Sequence, residues 1–496
     1  MEEKKQDVTP SFPTGTRELI LAALVLLTGF ALCNSILYGG FNLGFALYGC
    51  ICLVLTCGYL LLTGCKLTGY SGALLALSFV ILAGFARTDD GFVKFVLLCF
   101  LLISENLGLC LLAGQNQRSA GSVRSLLDAP RTLFVLGFGK IPQGVQGLIQ
   151  AFRQGGTAAK KSGAVLVGLA VSIPLLAILI PLLISADAAF DSLMQLLPQW
   201  NITELIATVV VGFMPALMLY VRAVALKQVK PSEAAAGSAR KGISAVTVNT
   251  VLSVVAVLYG VYLLSQLAYF SGGFLGILPE GYTTAEYARR GFFEMAWLCA
   301  INLTVMILAV GLVSKEKGRP LSTRLLCLFI GAVTLFLVIA AGAKMVLYIG
   351  SFGLTRLRVL TSVIIFWLGM TTVIICLWLF VSKLQYMKAV LLSALILGAG
   401  VLWVDVDTVV AHYNVSAYQS GALETVDVSY LASLGNSAVP YLETLSRCED
   451  PQVSGSARSI LNTWLEDPDF GYRAWNYVDH RANGLIAERK AGLKKP

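Results

Sequence analysis

The sequence predicts an all-α protein: a polytopic bundle of about eleven transmembrane helices, followed by a small helical extramembrane domain at the C-terminus. Three observations carry that prediction. Of 496 residues, 57% are hydrophobic and 13% charged, with a mean hydropathy of +0.77, whereas soluble domains average roughly 45–50% apolar and about 25% charged. Apolar stretches recur at a length near the ~20 residues that a bilayer core needs. Lys and Arg gather in alternate connections, the asymmetry expected of a chain threaded through a membrane. The net charge of +9 is therefore a matter of topology, and nucleic acid is not an expected partner.

Taken in order, the candidate spans run over approximately 18–38, 42–64, 69–86, 91–113, 163–185, 202–225, 245–270, 291–313, 325–349, 359–382 and 386–404. The first is about a full bilayer long, and no small-x-small cleavage site precedes the second, so it reads as a retained span. Placing the N-terminus inside collects Lys4, Lys5, Arg17, Lys66, Arg118, Arg124, Arg222, Lys227, Lys315, Arg324, Lys383 and Lys388 on the cytoplasmic side. The opposite connections hold little beyond Arg87, Arg289, Arg290, Arg356 and Arg358. An odd number of spans then puts the C-terminus outside the cell membrane.

Four regions follow: a four-span region 1–113, a basic cytoplasmic loop 114–162, a seven-span core 163–404 and an extracytoplasmic helical domain 405–496. In the loop, Leu133–Phe138 with Val145, Leu148, Ile149 and Phe152 is flanked by Arg131, Lys140 and Arg153. That pattern suits an interfacial helix on anionic lipid headgroups, and an ordinary connector fits it equally. The bilayer is the expected partner, and a protein partner for the C-terminal domain is left open. In that domain Val409, Val410 and Tyr413, then Leu431 and Leu434, then Leu442 and Leu445 recur at helical spacing.

Chemistry-bearing motifs are absent. No phosphate-binding glycine loop, dinucleotide fingerprint, H-E-x-x-H or G-x-S-x-G occurs, so no cofactor and no catalytic residue is expected. Ten of the eleven cysteines sit in or beside apolar stretches, where a thiol behaves as a small hydrophobe. Cys448 alone lies in the polar tail, which excludes a disulfide within it. His412 and His480 are far apart and have no metal-ligand spacing.

Ionisable residues inside spans are the sharper signal, because a charge at the bilayer centre costs roughly 2.5–3.5 kcal/mol on insertion scales. Glu105, Glu294 and Lys344 are the candidates, either as an ion or proton site or as structural partners of neighbouring helices. Glu294 and Lys344 fall at similar depth on consecutive spans joined by a short loop, so they are expected to pair. The alternative has Lys344 snorkelling outward and Glu294 meeting Arg290. A second group, Asp187, Asp191, Glu286, Arg289, Arg290, Arg356 and Arg358, gathers at the outer helix ends. It reads either as a binding surface or as solvated helix caps within an aromatic belt.

Three passages resemble a known family. They are ISADAAFDSL (184–193), LPEGYTTAEYARRGFFE (278–294), and the tail with YLASLGNSAVPYLETL (430–445) and YRAWNYVDHRA (472–482). Together they resemble the bacterial membrane-protein family catalogued as domain of unknown function 4173, close to number 4153. The resemblance runs from the fifth span to the end and implies a bacterial cytoplasmic membrane, but it supplies no activity. The leading functional expectation is a non-enzymatic sensory, regulatory or scaffolding membrane protein. The alternatives are a secondary transporter using the intramembrane charges and a membrane-embedded transferase built on the outer-face group.

Overall fold

A computed structural model describes residues 12, 14–117, 123–154, 179, 183, 185–187, 202–229, 243–273, 292–312, 320–381, 383–464 and 471–493. Within these the chain is helical. The long apolar helices are α1 (Thr16–Gly39), α2 (Leu43–Leu62), α3 (Gly69–Gly84) and α4 (Gly91–Leu112). After an irregular helical elbow from Val123 to Lys140 come α5 (Ile141–Gln154), α6 (Ile202–Gln228), α7 (Ala245–Gly273) and α8 (Phe292–Leu312). Then follow α9 (Leu321–Phe352), α10 (Arg356–Phe380) and α11 (Tyr386–Val404). The tail holds α12 (Val406–Gln419), α13 (Val428–Ala432), α14 (Val439–Leu445), α15 (Pro451–Thr463) and α16 (Tyr477–Leu493).

Eight of these helices are long and apolar enough to cross a membrane, or nine if the bent pair α11 and α12 is one span. Among the described residues, then, eight of the eleven expected spans are found as such helices. Helix α3 has only 16 residues, about 24 Å at 1.5 Å per residue, short of a ~30 Å hydrocarbon core. Helix α11 passes only together with α12, across a 59° bend. The expected span 163–185 lies outside the described residues except at isolated positions. The remaining eight stand where hydropathy places them, and the chain is a multi-pass membrane protein. Large apolar side chains such as Val254, Val257, Leu264, Trp297 and Ile339 face outward, the reverse of a soluble fold and the natural state of a lipid-facing surface.

The chain divides into two compact units: residues 1–119, 124–232 and 467–480 form the first, and residues 120–123, 233–466 and 481–496 the second. In the first, α1 and α6 approach closely because their contact is lined by small residues. A Cβ on Gly29 would sit 2.8 Å from the Ala216 Cβ, and one on Gly212 3.0 Å from the Cys33 Cβ. Without water to drive helices together, such close backbone packing is what associates them in lipid. Helices α3 and α4 add a buried hydroxyl contact, Ser78 to Ser104 at 2.8 Å.

The core of the second unit is built by Leu252 of α7, Met306 of α8, Cys327, Ile330 and Leu337 of α9, and Ile375 of α10. Inside it Tyr259 donates to Asn302 Oδ1 at 2.5 Å, and Asn302 Nδ2 donates to Thr334 Oγ1 at 3.0 Å. Thr334 in turn donates to the Ile330 carbonyl at 2.7 Å. Three helices are thereby tied by one neutral, satisfied network. The tail has a core of its own, centred on Val410, Leu431, Leu442, Leu445 and Ala457, with Ala482 and Ile486 of α16. That core is completed by Ile349, Leu354, Val359, Leu360 and Val401, residues of the membrane helices and the turn between them.

Candidate functional site

Helix α4 carries Glu105 seven residues before its end at Leu112, and α6 carries Arg222 six residues before its end at Gln228. At 1.5 Å per residue both stand about 10 Å inside their helix ends. They meet: Arg222 Nη2 lies 2.5 Å from Glu105 Oε1, with 3% and 15% of the side chains exposed. Arg222 Nη1 donates to Asn106 Oδ1 at 2.9 Å, while its buried Nε has no hydrogen-bond partner among the described residues. Cys52 and Cys57 of α2 lie within the field of the pair. Gly137 of the elbow stands against it, since a Cβ there would lie 3.8 Å from the Arg222 Cβ. Two opposite charges in a low-dielectric interior offset much of each other's desolvation, and losing either strands the other. Arg222, counted in the sequence with the loop cations, is in fact the partner of the carboxylate that the sequence singles out.

A second constellation ties the tail of the second unit to the turn between α9 and α10. Gly353 ends α9 with φ +73° and ψ −175°, a positive-φ, extended-ψ conformation essentially confined to glycine that costs other residues about 1–3 kcal/mol. Asn414 of α12 then pairs with the next residue as a strand would: the Leu354 N–H donates to Asn414 Oδ1 at 2.7 Å, and Asn414 Nδ2 donates to the Leu354 carbonyl at 2.8 Å. Arg356, at the start of α10, clamps Asp407 with both arms, Nε to Oδ1 at 2.8 Å and Nη2 to Oδ2 at 2.6 Å. Such bidentate pairs fix geometry as well as charge. The Arg356 N–H donates to the Tyr430 hydroxyl at 3.0 Å, and burial pushes that phenol up from its ordinary value. Arg358 donates to the Phe352 and Gly353 carbonyls and lies 4.0 Å over the Tyr348 ring. Asp405 holds the bend between α11 and α12 at φ +52° and accepts from Thr408 Oγ1 at 2.5 Å and Ser437 Oγ at 3.1 Å.

In the first unit the passage that includes YRAWNYVDH is a strap laid over helix ends. Arg473 Nη1 lies 3.0 Å from Glu204 Oε2 and donates to Asn34 Oδ1 at 3.0 Å. Its backbone is seated where Gly39 and Gly44 leave room; a Cβ on Gly39 would meet the Arg473 carbonyl carbon at 2.5 Å. The Leu43 N–H donates to the Trp475 carbonyl at 3.1 Å, and the Tyr477 N–H to the Ala86 carbonyl at 2.9 Å.

The remaining candidates divide. Lys344, half-buried in α9, is within electrostatic reach of Glu294, which is exposed at the start of α8. Asp187 is exposed. Asp191, Glu286, Arg289 and Arg290 lie outside the described residues, as does most of the 184–193 and 278–294 passages. Of the outer-face group, therefore, the structure brings together Arg356 and Arg358, and it adds Asp407, Asn414 and Tyr430. Among the described residues no group of three or more His, Cys, Asp or Glu is placed to hold a metal ion.

One family model, described as Domain of unknown function (DUF4153), matches residues 20–445. The number is 4153, and the resemblance to 4173 is corrected to that neighbour. The match also takes in the first four spans, which resembled nothing named, and it ends before the strap. No curated protein and no solved structure matches the chain.

Proposed function

The chain belongs to the DUF4153 family, and from that premise we propose that it is a cell-membrane protein that works without catalysis, in a sensory, regulatory or scaffolding role. Its N-terminus is cytoplasmic and its C-terminal segment extracytoplasmic in this reading, which takes all eleven expected spans as crossing and is supported by the Lys and Arg asymmetry. The observation that carries the role is the shared core of the second unit. Ile349, Leu354, Val359, Leu360 and Val401 complete the hydrophobic core of the tail, and Arg356 with Asp407 fixes the joint. A ligand or partner that favours one arrangement of the tail must then favour one arrangement of the ends of α9 and α10. Differential affinity for two states is all that a sensor needs.

Hydrogen exchange on the full chain in lipid nanodiscs tests this. Asp407→Asn should raise exchange both in α12 and in the amides around residues 347–360. A rise confined to the tail would show that the two move independently, and the sensory reading would fall.

A second reading, secondary transport, is favoured by one specific observation. The elbow breaks its helix between Arg131 and Lys140 beside the Glu105–Arg222 pair, and broken helices next to intramembrane charges recur in transporters. Proton or cation uptake into proteoliposomes that is abolished in Glu105→Gln would replace the sensory reading with this one. The transferase reading rested on the outer-face group, whose Arg356 is engaged by Asp407.

A further inference from the structure

Between α4 and α5 the chain does more than connect two helix ends. Gln115, just past α4, donates through Nε2 to the Val229 carbonyl just past α6, so the two helices end at one level. Arg131 reaches back to that level, donating from Nη1 to the Gln115 carbonyl at 3.0 Å. The chain then sinks along α6. A Cβ on Gly137 would lie 2.9 Å from Met218 Sδ, and Met218 stands ten residues, about 15 Å, from the end of α6 at 1.5 Å per residue.

There the π-helical turn Arg131–Gly137 gives way to the 3-10 turn Phe138–Lys140, and α5 returns. Gly144 packs on Val221, nearer the end of α6, and Gly147 on the Phe12 carbonyl and the Thr14 hydroxyl, ahead of α1. Three glycines thus form the inner face, which lets the broken backbone lie close to α6, as packing between helices in lipid requires. Irregular backbone at membrane depth is tolerated only where protein covers it.

The outer face is different in kind. Phe134, Val135 and Phe138 are exposed at 58%, 52% and 42%, and the two phenyl rings stack with centroids 6.3 Å apart. No charge occurs between Arg131 and Lys140, and the long stem of Lys140 allows its ammonium to snorkel toward lipid phosphates. We infer that Asp128–Gln150 is an elbow embedded in one leaflet: it enters and leaves on the side where α1 begins, and its aromatic face is covered by lipid acyl chains. A helix resting on the membrane surface would instead hold both phenyl rings only ~5–10 Å deep, at the boundary of headgroups and acyl chains.

Photocrosslinking on the full chain in nanodiscs of phosphatidylglycerol and phosphatidylcholine tests this. p-Benzoylphenylalanine replaces Phe134, Phe138 or, as a control, Gln150, all exposed positions. Lipid adducts at the first two positions should clearly exceed the control, with fragmentation placing the new bond on mid-chain acyl carbons, deeper than the ~5–10 Å that a surface helix reaches. Equal yields at the three positions, adducts confined to glycerol or headgroup atoms, or a covalent dimer of the protein would each overturn the inference.

Discussion

The two units handle charge in opposite ways. The first buries an ion pair among its helices, Glu105 with Arg222, about 10 Å from the helix ends by the 1.5 Å rise. The second ties its core with a neutral network, Tyr259–Asn302–Thr334, and places its clamped pair, Arg356 with Asp407, at a helix end. A neutral network that loses a member leaves one polar group unsatisfied, at roughly 1–3 kcal/mol. A buried ion pair that loses a member leaves a charge, at about 3–5 kcal/mol. The interior of the first unit is therefore the more sensitive to any event that neutralises one residue, and the second responds at its rim.

The largest expected effect breaks the comparison directly. Arg222→Met should destabilise the detergent-solubilised protein by about 3–5 kcal/mol, and adding Glu105→Gln should restore a large part of that loss. Additive losses in the double variant would show that the two side chains do not hold each other. Next in size, Gly353→Ala puts a Cβ at φ +73° and 2.5 Å from Asn414 Oδ1, a loss of about 2 kcal/mol or more from backbone strain and a displaced hydrogen bond. In an Asn414→Ala background the same change should cost less, because the obstructing oxygen is gone. An undiminished cost would mean that the turn is set by something other than Asn414.

A smaller effect should follow from the neutral network. Asn302→Leu removes a donor and an acceptor together and should cost about 1–2 kcal/mol, since hydrogen bonds between membrane helices average ~0.6 kcal/mol and the stranded phenol adds to that. If this variant melts as low as Arg222→Met, the contrast between charged and neutral interiors collapses.

Legibility in the sequence follows the same division. The spans were readable because an apolar run of bilayer length has one stable solution in lipid, and eight helices stand where hydropathy puts them. Glu105 was readable as a carboxylate in mid-span. Arg222 was not, because six residues from a helix end a cation reads equally as part of a loop. Arg356 was visible as an outer charge, but Asp407 lies 51 positions away, and no local pattern joins them. The bend at Asp405, with φ +52°, carries no glycine or proline signal. The strap was the least legible, because Arg473 is received by backbone space at Gly39 and Gly44, an absence of side chain that periodicity cannot reveal.

The smallest expected effect lies away from the clamped Arg356–Asp407 pair, at a helix cap within the tail. Asp450 caps α15: its Oδ1 accepts from the Val453 N–H at 3.3 Å and from the Gln452 N–H at 2.8 Å. Those donors hold the carboxyl below its ordinary value of 3.8. A carboxyl depressed in the folded state contributes its stabilisation above the unfolded value and loses it as the pH falls through the folded one. The cap should therefore be fully formed at neutral pH and weaken only below about pH 4, where an unperturbed Asp takes its proton. Hydrogen exchange in the first turn of α15 should be slower in the native chain than in Asp450→Asn at pH 6, and the two should converge as the medium is acidified below pH 4. The neutral amide is still able to cap, so the difference should be modest and confined to residues near 451–455. A difference that persists unchanged at low pH would mean that the charge of Asp450 does not hold the turn, and a difference spreading into α9 and α10 would mean that this cap is itself coupled to the Arg356–Asp407 joint.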